Sequence, residues 1–237
     1  MRNILKTVLV ASVVASSLAS CSVGHHEVKG STAPVSSAAG SSSAAPSSTN
    51  PASQTPEASS SSSSGTHAVT VGLGVQANSQ VQSQPAPGTC HVGKAANGEP
   101  LPDPNCTPGT TNPAVTQANI DSTICRSGYT KDIRPTSSIT GREKTANAAS
   151  YGYKGDLGNA EYDHLISLEL GGSPNDPKNL WVEPGGPDWK PADKFRNNKD
   201  DVENKLNALI CSHKVTLADA QNAIANDWTT ALSKLGK

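Results

Sequence analysis

The chain has 237 residues, 16% of them charged, and a formal net charge of −1 at neutral pH. No long basic run appears, which argues against a protein that grips DNA tightly over a broad basic face. A local concentration of positive charge is formed by Lys190, Lys194, Arg196, Lys199 and Lys205.

The first elements are an export signal and a tether. Met1 to Lys6 is a short basic region and Thr7 to Leu18 a small apolar core, too short for a membrane span. Leu18-Ala19-Ser20-Cys21 resembles a bacterial lipobox. That resemblance implies removal of residues 1–20, acylation of Cys21, and a soluble domain held to the membrane by acyl chains. Ser22 after the cysteine favours the outer membrane in a Gram-negative envelope. An ordinary signal peptide with an unrelated cysteine is the plainer reading. Residues 21–89 read as a low-complexity tether. From Gly30 to Gly65 the chain is mostly Ser, Ala, Pro, Thr and Gly, too poor in apolar surface to offset the entropy of ordering. This tether is expected to stay unfolded to about Gln84. Val69-Thr70-Val71 alternates briefly but has no evident partner strand. His25-His26 reads as incidental.

The four Tyr, three Trp and one Phe all lie between Tyr129 and Trp228, so one folded domain is expected over residues 90–237. Its cysteines, Cys90, Cys106, Cys125 and Cys211, suit two disulfides in an exported protein. Three pairings are possible. Cys90–Cys106 and Cys125–Cys211 are favoured, the first closing a Pro/Gly-rich loop and the second tying an early segment to the end of a long helix. A zinc site from these four would lack any Cys-x-x-Cys pair.

Within the domain, Thr123 to Tyr129 fits a short strand or helix equally well, and Arg134-Pro135 ends whatever precedes it. Ala146 to Ala160 reads as loop. Asp163 to Leu170 reads as a buried strand, with Leu180-Trp181-Val182 as its return strand. The clearest helix runs from Asp193 to Cys211, with Phe195, Val202, Leu206, Leu209 and Ile210 on its apolar face. A second starts at Thr216, and Ala220, Ile224, Trp228 and Leu232 stack inward at i, i+4 spacing. His91 and His213 read as exposed loop residues.

The most informative stretch is Tyr162-Asp163-His164-Leu165-Ile166, followed after the turn-rich Gly171-Gly172-Ser173-Pro174-Asn175-Asp176-Pro177 loop by Asn179-Leu180-Trp181. Strand, loop, strand and helix, with Asp-His first and Asn in the middle, resemble the ββα-metal core of HNH-type (His-Me finger) endonucleases. The likeness extends from about Leu101 to Trp228. It implies an α+β domain in which a small HNH-like core carries flanking helices and follows the disordered tether. In such a site, His164 suits the general base and Asp163 an oxygen ligand for a divalent metal, Mg²⁺ first, with Mn²⁺ or Zn²⁺ as alternatives. The resemblance further implies that Asn179 accepts the second ring N–H of His164. The helix has no His, so Asn197, then Asn198, are the expected further metal ligands. Lys199 could steady phosphate charge or simply pair with Glu203 at i+4. Two functions follow: a lipid-anchored, monomeric nuclease acting on nucleic acid, DNA favoured, or a non-catalytic envelope lipoprotein that uses the same scaffold to bind. An Asp-His pair can also merely tie a loop, and Asn179 can be an Asx-turn residue.

Overall fold

The computed structural model describes residues 69–76, 80–190 and 197–237. The signal sequence, Cys21, the low-complexity stretch to Gly65 and Phe195 lie outside them. The described domain is α+β. Its short strands are β1 (Thr70–Val71), β2 (Gly93–Lys94), β3 (Pro100–Leu101) and β4 (Thr110–Thr111). Helices α1 (Tyr129–Ile133) and α2 (Ser137–Ser150) precede the hairpin of β5 (Ala160–His164) and β6 (Leu180–Pro184). Helices α3 (Asn198–Cys211), α4 (Leu217–Asp227) and α5 (Ala231–Lys234) complete the chain. No described helix is long and apolar enough to cross a membrane.

The central hairpin is antiparallel, with Asp163 opposite Trp181 and Glu161 opposite Glu183. A two-stranded sheet leaves two open edges. Helix α2 closes both with side chains. Asn147 Oδ1 accepts from Val182 N at 2.7 Å and its Nδ2 donates to Leu180 O at 3.4 Å on β6. Lys144 Nζ donates to Leu157 O and Ala160 O, both at 2.6 Å, beside β5. This explains why the sequence reading placed a loop from Ala146 onward where α2 runs to Ser150. The inward positions Glu143, Asn147 and Ser150 are polar, so no apolar stripe marks the helix.

Three other expectations shift. The strand begins at Ala160 rather than Asp163, and Leu168–Leu170 forms a 3-10 turn instead of strand. The long helix begins at Asn198, because Asn197 caps it. Asn197 Oδ1 accepts from Asp200 N at 3.1 Å and Asp200 Oδ2 accepts from Asn197 N at 2.9 Å, a reciprocal capping box. The ordered domain also takes in residues assigned to the tether. β1 pairs in parallel with β4, Leu73 N donates to Asp176 Oδ2 at 3.1 Å, and Gln82 N donates to Glu143 Oε1 at 2.7 Å. The partner that Val69-Thr70-Val71 lacked in sequence is the two-residue strand Thr110–Thr111, distant along the chain and too short to show a pattern.

The principal core gathers Ile120, Ile124, Ile166 and Leu170 against Leu206 and Ile210 of α3 and Ile224 and Trp228 at the end of α4. Trp228 is buried and donates Nε1–H to Pro100 O at 2.9 Å, as a core residue should. Both favoured disulfides form. Cys125–Cys211 pins the segment before α1 to the last turn of α3, and Cys90–Cys106 packs against Tyr151 and Trp181.

Candidate functional site

The loop between β5 and β6 is held from inside. Asn179, fully buried, accepts at Oδ1 from Ile166 N at 3.0 Å and from Thr110 N at 3.4 Å. Its Nδ2 donates to Ile166 O and Ser173 O, each at 3.0 Å. One carboxamide therefore satisfies four backbone groups that would otherwise be buried without partners. The Gly-Gly pair makes this closure possible. Gly171 has φ +74°, and a Cβ on Gly172 would lie 1.7 Å from Ile166 O. The loop geometry thus explains both glycines and the asparagine.

Regular pairing through His164 sends Asp163 and His164 to opposite faces of β5. On one face, His164 Nε2 lies 2.9 Å from Pro174 O. Burial, only partly opposed by that carbonyl and by Asp163, lowers the imidazole to about 4, so it is neutral at physiological pH. On the other face, Asp163 meets α3. The buried positions of α3 are Lys199, Glu203, Leu206 and Ile210, one continuous stripe. Its last two members enter the apolar core. Its first two meet the hairpin.

Lys199 is the centre of that contact. Its Nζ lies 2.7 Å from Asp163 Oδ2, bonds to Glu203 Oε1, and donates to His164 O at 2.8 Å. Two of its N–H donors go to Glu203 and His164 O, while the Asp163 contact is an ion pair. Burial works against the charge, but Asp163, Glu203 and Glu183 together outweigh it and raise the Lys199 pKa. The surrounding carboxyls are raised too, which for an acid favours the neutral form. Burial, then Asp163 and Asp200, raises Glu161 to about 7. Burial and the Asp163 charge hold Glu183 well above the ordinary carboxyl range, and its Oε2 has no hydrogen-bond partner. Burial raises Glu203 as well, against the pull of Lys199.

The expected site residues therefore divide. Asp163 and Lys199 meet directly, with Glu203 completing the i, i+4 pair. His164 contributes only its backbone carbonyl to this cluster. Asn179 bonds to the loop backbone, not to the His164 ring. Asn197 caps α3 and donates from Nδ2 to Glu161 Oε2 at 3.1 Å, while Asn198 donates to Glu99 Oε1 at 2.6 Å. Neither asparagine shares a partner with Asp163. The donor set does not fit a divalent cation at Asp163, because a second positive charge would face the Lys199 ammonium across a 2.7 Å contact in a poorly solvated site. Among the described residues, no group of three or more His, Cys, Asp or Glu side chains is arranged to hold a metal ion. Sequence reasoning missed Glu161 and Glu183. Their signal was present: Glu161 and Asp163 alternate on one strand, and Glu183 stands two residues after Trp181 on the return strand.

Beside the cluster opens a pocket of about 400 Å³. Glu161, Glu169, Asp200 and Glu203 line it, opposed by Arg134. Comparison with protein-family models, with curated proteins and with solved structures finds no match to this chain.

Proposed function

We propose that the domain is a non-catalytic binding module, carried by a lipid anchor at Cys21 and a low-complexity tether on the bacterial cell envelope. The observation that carries this reading is the buried Lys199 ammonium paired to Asp163. An HNH-type mechanism needs a cation that can take a phosphate oxygen beside the Asp163 carboxylate. The cation next to Asp163 is a buried ammonium, ion-paired to that carboxylate and hydrogen-bonded to Glu203 and to His164 O. It lends the fold a fixed positive charge and, being fully buried, is out of reach of a substrate. The general-base candidate, His164, stands on the other face of β5, with Nε2 against Pro174 O.

A second reading, the metal-dependent HNH-like nuclease, is favoured by one specific feature. Asp163 and His164 end the first strand of a hairpin, Asn179 immediately precedes the second, and a helix follows. Calorimetric titration of the full chain with Mn²⁺ separates the two. The binding-module reading expects no heat that Asp163→Asn removes. Stoichiometric Mn²⁺ binding lost on Asp163→Asn would restore the nuclease reading. The anchor has its own test: wild-type chain should enter the detergent phase of a cell extract, and Cys21→Ser should not.

A further inference from the structure

We propose that residues 80–85 are a displaceable strap lying in a groove that reads an extended polypeptide backbone, and that an extended, uncharged segment of a partner protein binds by taking the strap's place. This deepens the binding-module reading and rests on it. The groove is built by the inward side of α2 and by the β5–β6 loop. On α2, Glu143, Asn147 and Ser150 stand at i, i+4 and i+7, one face of the helix. Glu143 Oε1 accepts from Gln82 N at 2.7 Å, Asn147 Nδ2 donates to Gln84 Oε1 at 2.9 Å, and Ser150 Oγ donates to Pro85 O. From the loop, Asn175 Nδ2 donates to Gln80 O at 2.9 Å. All four of these side chains are buried. Three of the contacts are to strap backbone and the fourth is to a glutamine carboxamide. Backbone groups are common to every peptide, so such a groove selects an extended chain first and a side chain second.

Three features make the strap an occupant of the groove and not a part of the core. First, none of residues 80–85 is buried, and Val81, the strap's one branched aliphatic side chain, is 39% exposed. A segment held by hydrogen bonds without apolar burial opens more easily than the elements beneath it. Second, the groups that hold it are left half used. Glu143 Oε2 and Asn175 Oδ1 are buried with no hydrogen-bond partner, on the same carboxyl and carboxamide that bond to the strap. Buried acceptors without donors are costly, so a segment that offers further N–H groups there gains over the strap. Third, the chain is pinned independently on either side. Before the strap, Gly74 N donates to Ser173 Oγ at 3.3 Å; after it, Gly88 N donates to Ala149 O at 2.9 Å and the Cys90–Cys106 disulfide follows. The strap can therefore lift as a loop while β1 stays paired to β4. The absence of charge in residues 80–85 sets the chemistry of the occupant. Burial pushes the Glu143 carboxyl up toward its neutral form, which suits an uncharged segment.

The test uses the full chain and a peptide of residues 80–85, acetylated and amidated at its ends. Native-state hydrogen exchange comes first. The Gln82 amide, bonded to Glu143, should exchange about a hundredfold faster than the Val182 amide, bonded to Asn147 Oδ1, and its rate should not respond to low denaturant. Calorimetry follows. Gln82→Pro removes the strap N–H that Glu143 accepts, so the strap loosens. The peptide should bind this variant at one site, about tenfold more tightly than wild type. The melting temperature should stay near that of wild type, since α2 and the hairpin keep their own bonds. In the same background, Asn175→Ala should weaken peptide binding severalfold. A peptide N-methylated at the residue matching Gln82 should not bind, and this comparison needs no change in the groove. Exchange of Gln82 only together with Val182, no saturable peptide binding by Gln82→Pro, or equal binding of the N-methylated peptide would overturn the proposal. Dimerisation of wild type in sedimentation that Gln82→Pro abolishes would give the groove to a second copy and overturn the assignment to a partner protein. None of these readouts involves Mn²⁺ at Asp163, so their failure differs from failure of the binding-module reading.

Discussion

Replacing Lys199 by Met removes one charge and leaves several. Methionine nearly conserves the volume of the aliphatic stem, so the packing loss is small. What remains is Asp163 and Glu203, both largely buried, without the ammonium that faced them at 2.7 Å on the Asp163 side. Removing one partner of a buried ion pair costs about 3–5 kcal/mol, because the other partner stays desolvated. For a domain of this size that is a fall in melting temperature of about 6–20 °C. The loss has a defined pH dependence. In the variant, burial holds the Glu203 carboxyl above its ordinary range with no ammonium left to oppose it. A carboxyl of that kind is harmless below its unfolded pKa and destabilises as pH rises through its folded pKa. The variant should therefore be most impaired near pH 8 and recover toward pH 4. Urea denaturation followed by tryptophan fluorescence reports it, since Trp181 is fully buried next to the cluster. Adding Asp163→Asn and Glu203→Gln to the variant should restore most of the loss. A deficit under about 1 kcal/mol at pH 8, the scale of an exposed pair, would refute the argument. So would a deficit that grows toward acid.

Other outcomes follow from the same geometry. Asn179→Ala should cost about 3 kcal/mol or more, since the lost carboxamide leaves several buried backbone groups unsatisfied. Asn179→Asp should be no better, because its second oxygen would face Ile166 O and Ser173 O; thermal melts decide both. His164, lowered by burial to about 4, should remain neutral in an NMR titration down to about pH 5.5. Its neutral form contributes about 3 kcal/mol, present above pH 6.5 and lost as pH falls through about 4. The Cys125–Cys211 bridge spans 86 residues, so Cys125→Ala with Cys211→Ala should cost about 2–5 kcal/mol in denaturant. Thiol titration of the wild-type domain should find all four of its cysteines blocked.

What the sequence revealed depended on how far each signal travels along the chain. The β5–β6 hairpin was legible because Tyr162 to Trp181 is local and carries its own turn chemistry. The Cys125–Cys211 pairing was legible because four cysteines leave few choices. Helix α2 was not, because Glu143 and Asn147 face inward to bond to chain and sheet edges, and polar inward positions look like loop. The β1–β4 pairing was hidden by brevity, two residues each, and by separation in sequence. At the site, the arrangement of Asp163, His164, Asn179 and Lys199 is set by facing. Regular strand geometry parts Asp163 from His164, and the phase of α3 brings Lys199 and Glu203 to the hairpin instead of Asn197 and Asn198. A capping box at Asn197 and Asp200 fixes that phase. It could have been read from Asn197 standing three residues before Asp200.

The central claim is that this scaffold binds without cutting. Supercoiled plasmid and a structured RNA, each incubated with the full chain in Mg²⁺ or Mn²⁺ and again with chelator, test it most directly. The account predicts no chelator-sensitive cleavage of either substrate, and no difference between wild type and His164→Ala. Metal-dependent nicking by wild type that disappears in both His164→Ala and Asp163→Asn would contradict it.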